Sequence, residues 1–193
     1  MKTKKYIREA FLELRRKFPL EKIKVTDICQ KALINKSTFY KYYTDVYNLS
    51  DTLEQESFQE FWDDFQNKDK LLEDTEAFFE GLHAAMKTHL EPGSTMELLY
   101  RGRMHVFFEH LEEALRMYYL QVAKSAQDEI QITFILIGAL HTFQYFWSNK
   151  KYDDKIIVKS VVNIVQSLKE TLPYLSTPTK EIDFSVTETG IRK

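Results

Sequence analysis

Apolar residues in this chain recur at the spacing of an α-helix from end to end, and little interrupts them. In the opening segment Ile7, Ala10, Phe11, Leu14 and Phe18 stand at i, i+3, i+4, i+7 and i+11, a single stripe down one helix face. Helix breakers are scarce, with five glycines and four prolines in 193 residues. Inside a helix a glycine costs about 1 kcal/mol and a proline about 3 kcal/mol relative to alanine. A chain so poor in both is read as all-α. Periodicity and punctuation predict helices over about 4–17, 26–33, 37–43, 45–66, 74–90, 95–124 with a break near Gly102, 127–148 and 154–172. Thr26 is the expected N-cap of the second and Asp45 that of the fourth. Pro173 and Pro178 close the helical part, and the Ser/Thr-rich tail, 176–193, is expected to be disordered.

Several classes fall away. The lone cysteine, Cys29, makes no internal disulfide and fits a reducing compartment. The start, MKTKKYIREAF, is charged at once and lacks the apolar stretch of a signal peptide. The longest apolar run, Phe134 to Leu140, is far short of the roughly 18 residues of a membrane span. A cytoplasmic protein with no membrane partner is expected. Glu80 and His83 form an ExxH pattern, but a di-metal helical bundle needs two, and His105/Glu109 and His110/Glu112 supply no second set. HExxH, a phosphate-cradling glycine loop and GxSxG are missing. No catalytic residue, metal or cofactor is therefore expected.

Charge is unevenly placed. Twelve Lys/Arg and six Asp/Glu lie between Met1 and Thr52, a net +6, leaving −8 for the rest of a chain whose total is −2. A basic head on an acidic body nominates the head for a polyanion.

Within that head, KSTFYKYY spans Lys36 to Tyr43. At 100° per residue Phe39 and Tyr43 share a face that should pack inward. Lys36, Ser37, Thr38, Tyr40, Lys41 and Tyr42 are left outward or on the flanks. Two short helices joined by a tight turn, packed on a first helix, make a helix-turn-helix, whose second helix enters the DNA major groove. Phenolic hydroxyls and lysines suit phosphate oxygens there.

The stretch VTDICQKALINKSTFYKYYTDVYNL resembles the DNA-binding signature of TetR-family transcriptional regulators, through Thr26, Ala32, Ile34, Thr38, Phe39, Tyr40, Tyr42, Tyr43 and Leu49. The likeness covers about the first fifty residues. Two positions depart from it: Leu33 stands where the family commonly has glycine, and Val46 where it commonly has a phosphate-binding lysine. Tyr47 offers a hydroxyl in that lysine's place. The resemblance implies a helix-turn-helix DNA-binding domain over 1–48 and a larger helical effector-binding and dimerisation domain over 49–175. It implies a homodimeric, sequence-specific regulator on a double-stranded operator, by family default a repressor released by a small apolar or aromatic effector. Some members answer to a protein partner instead. It also implies that Thr26, Tyr40 and Tyr42 contact phosphates, and that Lys36, Ser37, Thr38 and Lys41 contact base edges or nearby phosphates. The alternative is a helical adaptor or co-activator that keeps the head but binds protein; Val46 is its only hint.

Two stripes near the C-terminus suit a four-helix dimer interface: Ile135, Gly138, Ala139, Thr142 and Phe146, then Ile157, Val161, Ile164, Val165 and Leu168. The resemblance makes some rings and methionines of the body an effector-pocket wall, with Phe79, His83, Met86, Tyr100, Met104, Phe107, His141 and Tyr145 the candidates. His83, Tyr100 and His141 lead, because a buried polar tip needs a partner that a ligand can supply.

Overall fold

Helix is the only regular structure in this computed structural model, among the residues it describes, 2–121 and 123–171. The tail expected over 176–193 lies outside them. The helices are α1 (Lys2–Arg15), α2 (Val25–Lys31), α3 (Lys36–Phe39), α4 (Val46–Asp64), α5 (Thr75–His89), α6 (Thr95–Tyr100), α7 (Met104–Leu120), α8 (Ala126–Asn149) and α9 (Asp154–Thr171), with one 3-10 turn, Leu20–Lys22. The break expected near Gly102 separates α6 from α7. Gly102 has φ +78°, which a side chain would resist.

Two compact units emerge. The first holds α1–α4 and the chain from Met86 to Arg103, which includes α6. It therefore extends past the boundary read at 48 and takes in all of α4. The reason is packing: α4 lies against α6, and its Leu49, Leu53, Phe61 and Trp62 are buried. Burying each such side chain stabilises by about 1.5–3 kcal/mol. In the same unit α1 packs on α2 and α6, and α2 packs on α3.

A buried cation ties α1 to α6. Arg15 is 4% exposed, and its Nη2 donates to the carbonyls of Leu98 (2.7 Å) and Leu99 (3.2 Å). These belong to the last turn of α6, where helix carbonyls have no intrahelical partner. Burial, and then the nearby Arg103, push the Arg15 pKa down. On α4, buried Glu54 accepts from Ser50 Oγ and from the Arg103 guanidinium.

In the second unit α8 packs between α7 and α9. Phe79 of α5 meets Phe143 of α8 with ring centroids 5.4 Å apart. By length and composition α8 could cross a membrane, its best 18-residue window having a mean hydropathy of 1.2. Its Ile132, Ile135, Leu136, Ala139, Leu140 and Phe143 are instead buried in the chain's own core.

Two contacts hold the loop between α4 and α5. Tyr119 of α7 donates from its hydroxyl to the Lys68 carbonyl and accepts from the Leu71 N–H, both at 2.8 Å. Gly81 of α5 lies so close to the Gln66 carbonyl that a Cβ would sit 1.8 Å from its oxygen. Tyr119→Phe strands a buried N–H and should cost about 1–3 kcal/mol. Gly81→Ala forces backbone apart and should cost about 3 kcal/mol. Urea denaturation of the two variants measures both, and an unchanged midpoint for either removes that contact's role.

Candidate nucleic-acid interface

The candidate site is built on a helix too short to stand alone. Only Lys36–Phe39 are helical, less than the expected run to Tyr43, and turn hydrogen bonds carry the chain on (Tyr42 N–H to the Phe39 carbonyl, 2.9 Å). Two rings anchor it as expected. Phe39 is fully buried and Tyr43 nearly so, with centroids 5.9 Å apart. The Tyr43 hydroxyl is buried without a hydrogen-bond partner among the described residues, and burial pushes its pKa up.

The N-cap is Asn35. Its Oδ1 accepts from the Thr38 N–H (2.8 Å), the Thr38 hydroxyl (2.7 Å) and the Ser37 hydroxyl (2.7 Å). The signal was present in the sequence, since asparagine ranks among the best N-caps. Thr26, expected as the cap of α2, is instead its second residue; Lys24 is the cap, and its N–H donates to Asp27 Oδ2 at 3.1 Å. An acid at the third helical position satisfies the first backbone donors as well as a capping threonine does. Thr26 remains exposed, its hydroxyl 3.4 Å from Asp27 Oδ1. Asp45 caps α4 as expected, accepting from the Asn48 N–H at 2.7 Å.

Both departures from the family pattern acquire a structural meaning. Leu33 sits in the turn with φ +53° and is 92% exposed. The backbone thus takes the left-handed conformation that glycine favours, and leucine bears its strain, about 1–2 kcal/mol. Val46 is buried, so this side chain serves the core. Tyr47 beside it is exposed.

Lys36, Ser37, Tyr40, Lys41 and Tyr42 are all exposed, and Thr38 is half-buried. Tyr40, 54% exposed, rests edge-on against Phe39 with centroids 5.6 Å apart. Elsewhere in the head Lys4 and Arg8 pair with Glu56, Lys5 with Glu9 and Lys31 with Glu13. Lys36 and Lys41, which bracket α3, form no salt bridge among the described residues. Nor do the hydroxyls of Tyr40, Tyr42 and Tyr47 bond to the protein there. The edge therefore has free cations and free hydroxyl donors.

The effector-pocket candidates divide between the two units. Met86 and Tyr100 belong to the first unit and the other six to the second. Phe79, Met86, Tyr100 and Phe107 are packed into core, Met104 is half-buried, and His141 and Tyr145 are exposed. The imidazoles already have partners: His83 Nε2 lies 3.2 Å from Asp154 Oδ2, and His141 Nε2 2.7 Å from Glu112 Oε2. Aromatic spacing marks core at Phe79, Tyr100 and Phe107.

The dimer stripes are also mostly turned inward. Ile135, Ala139, Ile157, Val161 and Val165 are buried within the chain, and Thr142, Phe146 and Leu168 are half-buried; Gly138 and Ile164 face out. Because α8 is apolar nearly all round, its spacing could not say which stripe faced the core. The outward stripe is Ile130, Phe134, Gly138, His141 and Tyr145. A shallow, open groove of about 370 Å³ on α9 is lined by Asn163, Ile164, Ser167 and Leu168.

No protein-family model matches the chain, and no curated protein shows significant similarity to it. The site rests on its own geometry, which two substitutions probe. Leu33→Gly should raise stability by about 1 kcal/mol through relief of left-handed strain. Tyr43→Phe should be neutral or stabilising, because it deletes a buried, unbonded hydroxyl. Thermal melts test both, and a loss above about 1 kcal/mol in either would contradict the local geometry described.

Proposed function

We propose that this protein is a cytoplasmic, homodimeric, sequence-specific DNA-binding transcriptional regulator of helix-turn-helix type. One observation carries the reading. The α2–turn–α3 unit buries Phe39 and Tyr43 and leaves on its outer edge a row of phenols and two lysines that form no salt bridge among the described residues. Phosphate oxygens accept hydrogen bonds and repel carboxylates, and this edge offers cations and donors. Buried rings set the edge's position relative to α1 and α2, as groove readout requires.

One such head makes few contacts, and two on one duplex bind far better. The outward stripe of α8 suits a second copy. Phe134 is 65% exposed, and a Cβ on Gly138 would meet nothing within 4 Å, so another helix can approach closely there. Exposed Ile156 and Ile164 of α9 add apolar surface. The effector part of the family expectation has no comparable support: Phe79, Met86, Tyr100 and Phe107 fill core, and His83 and His141 already have carboxylate partners.

The test is binding of the full chain to the duplex upstream of its own gene, followed by fluorescence anisotropy across a salt series. Lys41→Ala should lower the salt slope of log K by about 0.9. Combined with Tyr40→Phe it should weaken binding roughly tenfold with the melting temperature unchanged. Absence of a salt-sensitive complex at micromolar protein would favour the protein-binding adaptor. For the interface, Phe134→Glu should give a folded monomer by size-exclusion chromatography. Ile135→Glu places a charge in the core and should unfold the chain. A dimeric Phe134→Glu variant would move the interface elsewhere.

A further inference from the structure

Accepting the DNA-binding reading, we infer that Asn35 holds the hydrogen of the Ser37 hydroxyl, so that Ser37 turns its lone pairs outward and reads an exocyclic amino group of a base and not a phosphate. The geometry leaves one assignment of protons. A backbone N–H can only donate, so the Asn35 amide atom 2.8 Å from the Thr38 nitrogen is the oxygen. The Ser37 and Thr38 hydroxyls each lie 2.7 Å from that same oxygen. An amide oxygen cannot donate, so each hydroxyl gives it its only hydrogen. What remains on each hydroxyl oxygen is lone pairs.

A phosphate oxygen also has only lone pairs to offer. Contact with it would require Ser37 to abandon Asn35. This sets Ser37 and Thr38 apart from Lys36, Lys41, Tyr40 and Tyr42, whose donors have no protein acceptor among the described residues. In the major groove the donors are the N6 amino group of adenine and the N4 amino group of cytosine; the other polar atoms there accept. Thr38 is half-buried and Ser37 exposed, so Ser37 is the reader. Asn35 is a positioning residue. Its oxygen already accepts three donors, which excludes the two-pronged contact with adenine that an asparagine makes with both amide atoms.

The experiment selects duplexes from a randomised pool with the full-chain protein and with Ser37→Ala, and finds the base pair at which the variant loses discrimination. At that pair the amino group is deleted, with purine in place of adenine or 2-pyrimidinone in place of cytosine. In a second duplex the purine N7 acceptor is deleted by a 7-deaza base. The wild type should lose roughly three- to tenfold in affinity on amino deletion. It should lose nothing on N7 deletion, and Ser37→Ala should be indifferent to both. Asn35→Asp, which keeps an acceptor oxygen facing both hydroxyls, should retain the amino dependence, and a folded Asn35→Ala should lose it. Sensitivity to N7 and not to the amino group, or unchanged selectivity in Ser37→Ala, overturns the inference and leaves the DNA-binding reading intact. Amino dependence that survives in Asn35→Ala overturns the positioning role of Asn35. A pool that enriches no sequence overturns both the inference and the reading beneath it.

Discussion

A helix of four residues closes barely one turn, and in isolation the entropy of fixing that turn exceeds what its hydrogen bonds return. The head of this protein therefore depends on what holds α3 from outside. From below, Phe39 and Tyr43 sink their rings into the first unit. From its N-terminal end, Asn35 gathers three donors onto one oxygen. Side chains on a free peptide of this length would sample many directions. Here the edge formed by Lys36, Ser37, Tyr40 and Lys41 is set by two buried rings and a cap.

The same unit shows how a small polar network can occupy a core. Arg15 satisfies carbonyls that α6 cannot satisfy itself, and Glu54 balances Arg103. Buried charges of this kind are costly when one partner is removed, because the other is left in a low-dielectric interior. They add less to net stability than the apolar residues around them. Their consequence is geometric, since carbonyls of the last turn of α6 meet one side chain of α1.

Much of this was legible in the sequence, for physical reasons that differ by element. The stripe on α1 told which face was buried at Ile7, Ala10 and Phe11, but its last member, Phe18, lies beyond the helix and is exposed; Leu49, Leu53 and Phe61 mark the buried face of α4. The inward pair Phe39 and Tyr43, and the outward set around them, followed from a single helical wheel. α8 was not legible in this way. With apolar residues on nearly every face, its spacing fitted two stripes about one residue apart, and only the packing of α7 and α9 decides between them. Core and pocket wall are hard to tell apart for a related reason. Phe79, Tyr100 and Phe107 look alike in sequence whether they line a cavity or fill one. Asn35 was legible and passed over, because a turn and an N-cap share residue preferences.

Amide hydrogen exchange across the whole chain, with and without the duplex upstream of its own gene, tests the central claim most directly. If the edge of α3 meets DNA, added duplex slows exchange through 35–48 and leaves the inward face of α8 unchanged. Unaltered exchange through 35–48, with a stable complex present and protection confined to α7–α9, would contradict the claim.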